Sequence, residues 1–265
     1  MNRLIIAAIV SAAAGSSATA QLINAGPTTV MPGFGTPWYS TGNSGFGSSG
    51  ITGFAGIDGD GAAELRGDRT RFATGNIFPS NSSALPNVGL LSNVTTFNYQ
   101  FTVITTGAGV VTAQAPALRL HVLDNVNNRR IEFIYEDGEQ AAPQFVAGAG
   151  FLGTVYTGNF MSGRIYTFTG GLGRGLFDAG GSLIAGSDSA QSISSLIATL
   201  GVQSASVSGI SLGVGSSVGS GFLGYADQVN LGFGTGPVLT VNFVPTPSAA
   251  ALLGLGGLLA ARRRR

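Results

Sequence analysis

The feature that most limits what this chain can fold into is a strict two-residue alternation that recurs in run after run. Phe97, Tyr99, Phe101 and Val103 fall on one face of an extended segment, and Thr96, Asn98, Gln100 and Thr102 on the other. Successive strand side chains point to opposite faces, so the pattern builds a half-buried strand, whereas on a helix it would scatter around the axis. Leu118, Leu120 and Val122 alternate with Arg119 and His121, and Ile131, Phe133 and Tyr135 with Arg130, Glu132 and Glu136. Ile210, Leu212 and Val214 repeat the rule, as do Tyr225, Val229, Leu231 and Phe233, and Val238 to Val244 reads as the last strand. Gly, Asn and Asp clusters separate the runs, as all-β connections require. The expectation is an all-β, antiparallel sandwich. The charges on its polar faces, with His121, Glu132 and Glu136 among them, are expected in solvent, and Asp137-Gly138 reads as a turn.

One short helix is predicted. Ile193, Leu196, Ile197 and Leu200 have helical spacing, Asp188 with Gln191 gives a capping-box-like start, and Gly201 gives a stop. The Gly/Ser-rich stretch 40–56, with Phe34, Trp38, Phe46 and Phe54 in and around it, is expected to form ordered loops on the sandwich.

The ends have a different character. Residues 1–20 carry Arg3, the apolar run Leu4 to Ala14, and Ala18-Thr19-Ala20, an A-x-A cleavage pattern that would start the mature chain at Gln21. At the other end, Val244-Pro245-Thr246-Pro247 precedes an apolar run of 14 residues, Ser248 to Ala261, and then Arg262, Arg263, Arg264 and Arg265. As a helix that run spans about 21 Å, short of the roughly 30 Å hydrocarbon core. It suits transient engagement of a membrane, with the arginines held at the cytoplasmic headgroups. Three segments follow: a leader at 1–20, expected as a signal helix, a β-sandwich at 21–243, and a sorting segment at 244–265, expected as a hydrophobic helix.

Stripping the ends changes the charge. The whole chain has 13 basic and 12 acidic residues, but five of the arginines lie in the terminal segments. The body keeps eight arginines against all twelve carboxylates, a formal −4, which argues against nucleic acid as a partner. With no Cys, disulfides, thiolate metal sites and Cys nucleophiles are excluded.

At Pro245, Thr246, Pro247 and the terminal arginines the chain resembles the PEP-CTERM sorting-signal family, with Thr246 where that motif usually has Glu. The resemblance covers only about the last 22 residues. It implies recognition by an exosortase, a membrane-embedded processing enzyme, with transient or stable anchoring in the inner membrane through the C-terminus and then delivery to the cell surface or extracellular matrix. The runs Pro116 to Leu120, Ile131 to Glu136 and Gly224 to Leu231 resemble jelly-roll sandwiches of surface proteins, including carbohydrate-binding modules.

Asp227 stands out by parity, because it falls with Tyr225, Val229 and Leu231, and a buried carboxylate needs hydrogen bonds or a cation. In the carbohydrate-binding jelly rolls an Asp at this place often helps hold a structural Ca²⁺. The other candidate ligands are Asp58 and Asp60 of a D-x-D-G turn, with Glu64 beyond. A turn satisfied by backbone amides is the competing account. No catalytic constellation is read. Gly215 to Gly219 matches G-x-S-x-G, but the only His precedes it and no helical pattern surrounds it. Trp38, Tyr39, Phe151, Tyr156, Phe160 and Tyr166 are candidates for a sugar-stacking platform. The leading expectation is a non-enzymatic surface or matrix protein, acting in adhesion or exopolysaccharide association. A carbohydrate-binding module with structural calcium comes second, and an extracellular glycan hydrolase or lyase third.

Overall fold

A computed structural model describes residues 20–54, 56–77, 86–108, 114–146, 151–169, 173–178, 181–215 and 218–245. Ala18 of the leader, Thr246 to Arg265 of the tail, and Ser216 and Ser217 of the G-x-S-x-G stretch lie outside the described residues, as do both expected terminal helices. No helix among the described residues is long and apolar enough to cross a membrane.

The alternation translates directly into strands, which form two curled sheets facing each other across one core. The seven-stranded sheet holds β1 (Gln21–Ala25), β3 (Ser48–Thr52), β4 (Ala62–Arg66), β7 (Val94–Thr105), β10 (Tyr156–Asn159), β14 (Leu223–Phe233) and β15 (Leu239–Phe243). The eight-stranded sheet holds β2 (Tyr39–Ser44), β5 (Arg69–Gly75), β6 (Gly89–Leu90), β8 (Ala117–Asp124), β9 (Arg129–Tyr135), β11 (Ile165–Thr169), β12 (Gly173–Arg174) and β13 (Ser206–Val214). Along its main path the order is β12-β11-β9-β8-β13-β5-β2. The apolar parity set of β7 is wholly buried and faces Leu118, Leu120, Phe133, Ile210 and Leu212 of the other sheet. Each such side chain contributes roughly 1.5–3 kcal/mol by leaving water. Trp38 stacks on Phe72 of β5 and meets Phe243 of β15 edge-on, tying the two sheets together.

The fold corrects the expectation in three places. Pairing is antiparallel except for β1, which runs parallel to β15 in register Gln21↔Leu239 to Ala25↔Phe243. Most of the stretch 40–56 is strand rather than loop: β2 and β3, joined by the turn at 45–47, enter different sheets, pairing β5 and β4 respectively. The turn Gly45-Phe46-Gly47 lies against Gly67, which links β4 to β5 with a positive φ of 80°. A Cβ on Gly67 would collide with the Phe46 carbonyl, so the two crossovers meet only because that position lacks a side chain.

The helix α1 (Ile193–Leu200) forms and stops at left-handed Gly201 as predicted, and buries Ile193, Leu196 and Leu200. Its cap differs. Ser192, not Asp188, is the N-cap, accepting from the Ser195 amide at 3.2 Å. Serine needs no partner three residues on to satisfy that amide, so the local hydroxyl takes precedence over the more distant carboxylate.

Candidate metal centre

β14 is long enough to carry two partners on one edge. β7 runs along its other edge from Leu223 to Phe233. On the near edge β4 covers Leu223 to Ala226 and β15 covers Val229 to Leu231. The two shorter strands meet end to end at Asp227. Here β14 bulges, the register against β7 shifting between Asp227 and Asn230, with Gln228 at a positive φ of 50°.

The bulge corrects the parity argument. Ala226, Val229 and Leu231 join the core, whereas Tyr225 and Asp227 do not share their face. Tyr225 is buried outside the core cluster, stacked on Phe54 with its hydroxyl donating to Glu64 at 3.0 Å. Asp227 is nevertheless fully buried, because the loop leading into β4 and the end of β15 close over it. Gly61 permits this approach, since a Cβ there would strike the Phe243 carbonyl and crowd Pro245.

The closing loop brings Asp58 and Asp60 to Asp227, with one carboxylate oxygen of each within 4.8 Å of the others. All three sequence-predicted ligands therefore converge. Glu64 does not join them; it pairs with Arg66 at 3.0 Å and accepts from Tyr225. Asp227 Oδ1 accepts from the amides of Gln228 at 2.7 Å and Phe243 at 2.9 Å, while the buried Oδ2 has no partner. Asp58 accepts from the Gln228 side chain at 2.5 Å and Asp60 from the Asn242 side chain at 2.8 Å. Among the described residues no arginine forms an ion pair with any of the three.

The electrostatics follow. Desolvation pushes the Asp227 carboxyl up to about 7, against two amide hydrogen bonds that lower it, with the Asp58 and Asp60 charges adding to the rise. Burial also raises Asp58, whereas the Asn242 amide lowers Asp60. The donor set is all oxygen, which suits a hard cation. Ligands on one Ca²⁺ at about 2.4 Å each lie no more than about 4.8 Å apart, and these oxygens meet that limit. The orphaned Oδ2 is the acceptor a cation would satisfy. Asn242 escaped the sequence reading; it is buried on β15 with its own Oδ1 unpartnered, a neutral oxygen beside the three carboxylates.

The polar face of the eight-stranded sheet also departs from expectation. Glu132, expected in solvent, is buried and held by Arg119 at 2.8 Å and Arg71 at 3.0 Å. Burial raises its carboxyl, but the charges of Arg119 and Arg71 and the Arg119 hydrogen bond outweigh that and hold it down at about 2. His121 is buried too, with Nε2 2.8 Å from Ser211 Oγ and Nδ1 without a partner. Desolvation lowers it to about 3, so the imidazole stays neutral. A Ser–His–acid relay needs an accessible hydroxyl and a carboxylate on the second nitrogen; Ser211 is fully buried and Glu132 is taken by the arginines. Asp137 is no open turn residue either, being buried with Oδ2 accepting from the Phe145 amide at 2.7 Å. Of the proposed stacking aromatics, Trp38 and Phe160 are core, and Phe151 is exposed.

Compared with family models, with curated proteins and with solved structures, the chain finds no match. Fold and site together define an all-β, sandwich-like protein with an acidic oxygen cluster at a strand junction.

Proposed function

We propose that this chain is a non-enzymatic exported protein of the cell surface or extracellular matrix, acting in adhesion or exopolysaccharide association. In this reading it is led out by residues 1–20 and sorted by its PEP-CTERM-like tail through an exosortase at the inner membrane. Its body is read more finely as a jelly roll. The observation that carries the non-enzymatic part is the burial of the acid–base groups: His121, Ser211, Glu132 and Asp137 all sit inside structural hydrogen bonds and ion pairs. The sorting part is tested in a host that carries an exosortase. Replacing Arg262 to Arg265 with Ser should move the protein off the surface and out of the matrix; unchanged surface display would sink it.

A second reading, a carbohydrate-binding module with structural calcium, is favoured by the unpartnered Asp227 Oδ2 together with the convergence of Asp227, Asp58 and Asp60. Calcium there would join the start of β4 to the end of β15 and stabilise the fold at the point where the tail leaves. At a concentration 100 times its Kd, a cation bound only by the folded state adds about 2.7 kcal/mol. The melting temperature of the full chain should rise in calcium relative to chelator; an identical value in both would remove the calcium site. Selective retention on a glycan array, lost on mutating one exposed aromatic, would favour the module over a general adhesive surface.

A further inference from the structure

The outer face of the eight-stranded sheet holds a cavity of about 250 Å³ that crosses six strands. Its lining changes character from one end to the other. β11 and β9 contribute Tyr166, Phe168 and Ile134, whereas β8 and β5 contribute Arg119, Arg71 and Arg69. No Asp or Glu lines the cavity, and beneath it Glu132 is shared by Arg71 and Arg119. Two of the three guanidiniums thus share one carboxylate, and Arg69 lies outside that bridge.

The imbalance is visible in the hydrogen bonding. Arg119 is nine-tenths buried, yet its Nε has no partner. Arg69 takes part in no ion pair among the described residues. A buried guanidinium N–H left unsatisfied is costly, and the guanidinium fork matches a carboxylate oxygen pair better than any neutral group. The aromatic end is held in place. The Tyr166 hydroxyl donates to Glu136 at 2.8 Å, and the Arg174 guanidinium lies 4.2 Å from its ring centroid. A fixed aromatic surface suits the C–H face of a sugar ring. The volume lies just below the roughly 300 Å³ at which sites for drug-sized ligands begin, which is space for one ring.

We propose that this cavity binds one unit of an acidic sugar, a uronate, with its carboxylate on Arg69, Arg71 and Arg119 and its ring against Tyr166 and Phe168. This rests on the polysaccharide-association reading above and names its ligand class. A small inorganic anion would use only the arginine end, and a neutral sugar only the aromatic end; the uronate uses both.

Calorimetric titration of the full-length chain with glucuronate, glucose, acetate and polyglucuronate tests it. Glucuronate should bind at least tenfold more tightly than glucose or acetate, and added salt should weaken it. Arg69→Gln should lose about tenfold in glucuronate affinity with an unchanged melting temperature, because the side chain is exposed and outside the Glu132 bridge. Phe168→Ala should weaken glucuronate but not acetate. No glucuronate binding, equal affinity for acetate or for glucose, or an indifferent Arg69→Gln variant would each overturn the site. Binding of polyglucuronate supports a matrix glycan as the source. Binding of the monomer with refusal of the polymer would leave the site standing and bring down the polysaccharide-association reading instead.

Discussion

Glu132 and Asp227 are two answers to one problem. Both are carboxylates on strands, both lie off the apolar face of their sheet, and both are buried. Glu132 has two guanidiniums within 3.0 Å, whereas Asp227 has two backbone amides on one oxygen and nothing on the other. One carboxyl is held down at about 2 and the other pushed up to about 7. The contrast teaches that burial alone does not set the behaviour of an acid in this fold. The nearest positive charge does, and among the described residues none lies within ion-pairing distance of Asp227.

The largest effect should come from breaking the complete site. Glu132→Gln removes the carboxylate that Arg71 and Arg119 share, and removing one partner of a buried pair costs about 3–5 kcal/mol. Urea unfolding of the full chain should show a loss of that size. Asp227→Asn in chelator should do the reverse at pH 8 and raise stability, because an amide keeps the Oδ1 acceptor and removes the uncompensated charge. If both variants lose stability alike, the distinction between the two acids is wrong.

The pH dependence sharpens the comparison. Glu132 has a folded value near 2 against an ordinary 4.5, so its contribution is full above 4.5 and is lost as pH falls through 2. Asp227 has a folded value near 7 against 3.8, so its contribution is full below 3.8 and is lost as pH rises through 7. His121, lowered to about 3 from 6.5, costs stability as pH falls below 6.5 and would mask the Asp227 limb in the wild type alone. The difference between wild type and Asp227→Asn isolates it. In chelator that difference should turn against the wild type between pH 4 and pH 8. In calcium it should turn in favour of the wild type at pH 8, and melting curves across the range would show either crossing.

How much of this was legible in the sequence depends on the distance over which each feature is set. Alternation along a single strand placed Phe97 to Val103, Leu118 to Val122 and Ile131 to Tyr135 in the core, because strand parity is local. The D-x-D-G turn and the place of Asp227 picked out three residues that do converge. Burial of Glu132 was not legible, since it depends on arginines 61 and 13 residues away in sequence, nor was that of His121, whose partner Ser211 is 90 residues away. Nor was the bulge at Gln228. It exists because β4 and β15 share one edge of β14 and meet there, a fact of register between strands far apart in the chain. Asn242 was missed for the same reason: its parity marked it only as the polar face of β15.

The smallest expected effect concerns that bulge. Gln228 is one of two non-glycine residues with positive φ among those described, and it also donates its side-chain amide to Asp58. A left-handed conformation costs an ordinary residue about 1–2 kcal/mol, and glycine removes that strain. The lost Asp58 hydrogen bond offsets about 1 kcal/mol of the gain, so Gln228→Gly should change stability by no more than about 1 kcal/mol. Its value lies in what it separates. If the bulge merely leaves Asp227 stranded, relaxing the backbone should leave calcium without effect. If the bulge exists to bring the Asp227 carboxylate to Asp58 and Asp60, the glycine variant should keep the full calcium-induced rise in melting temperature, while Asp227→Asn loses it. Glycine preserves the carboxylate and the two amides that orient it, so only the second outcome fits a site whose chemistry resides in the oxygens.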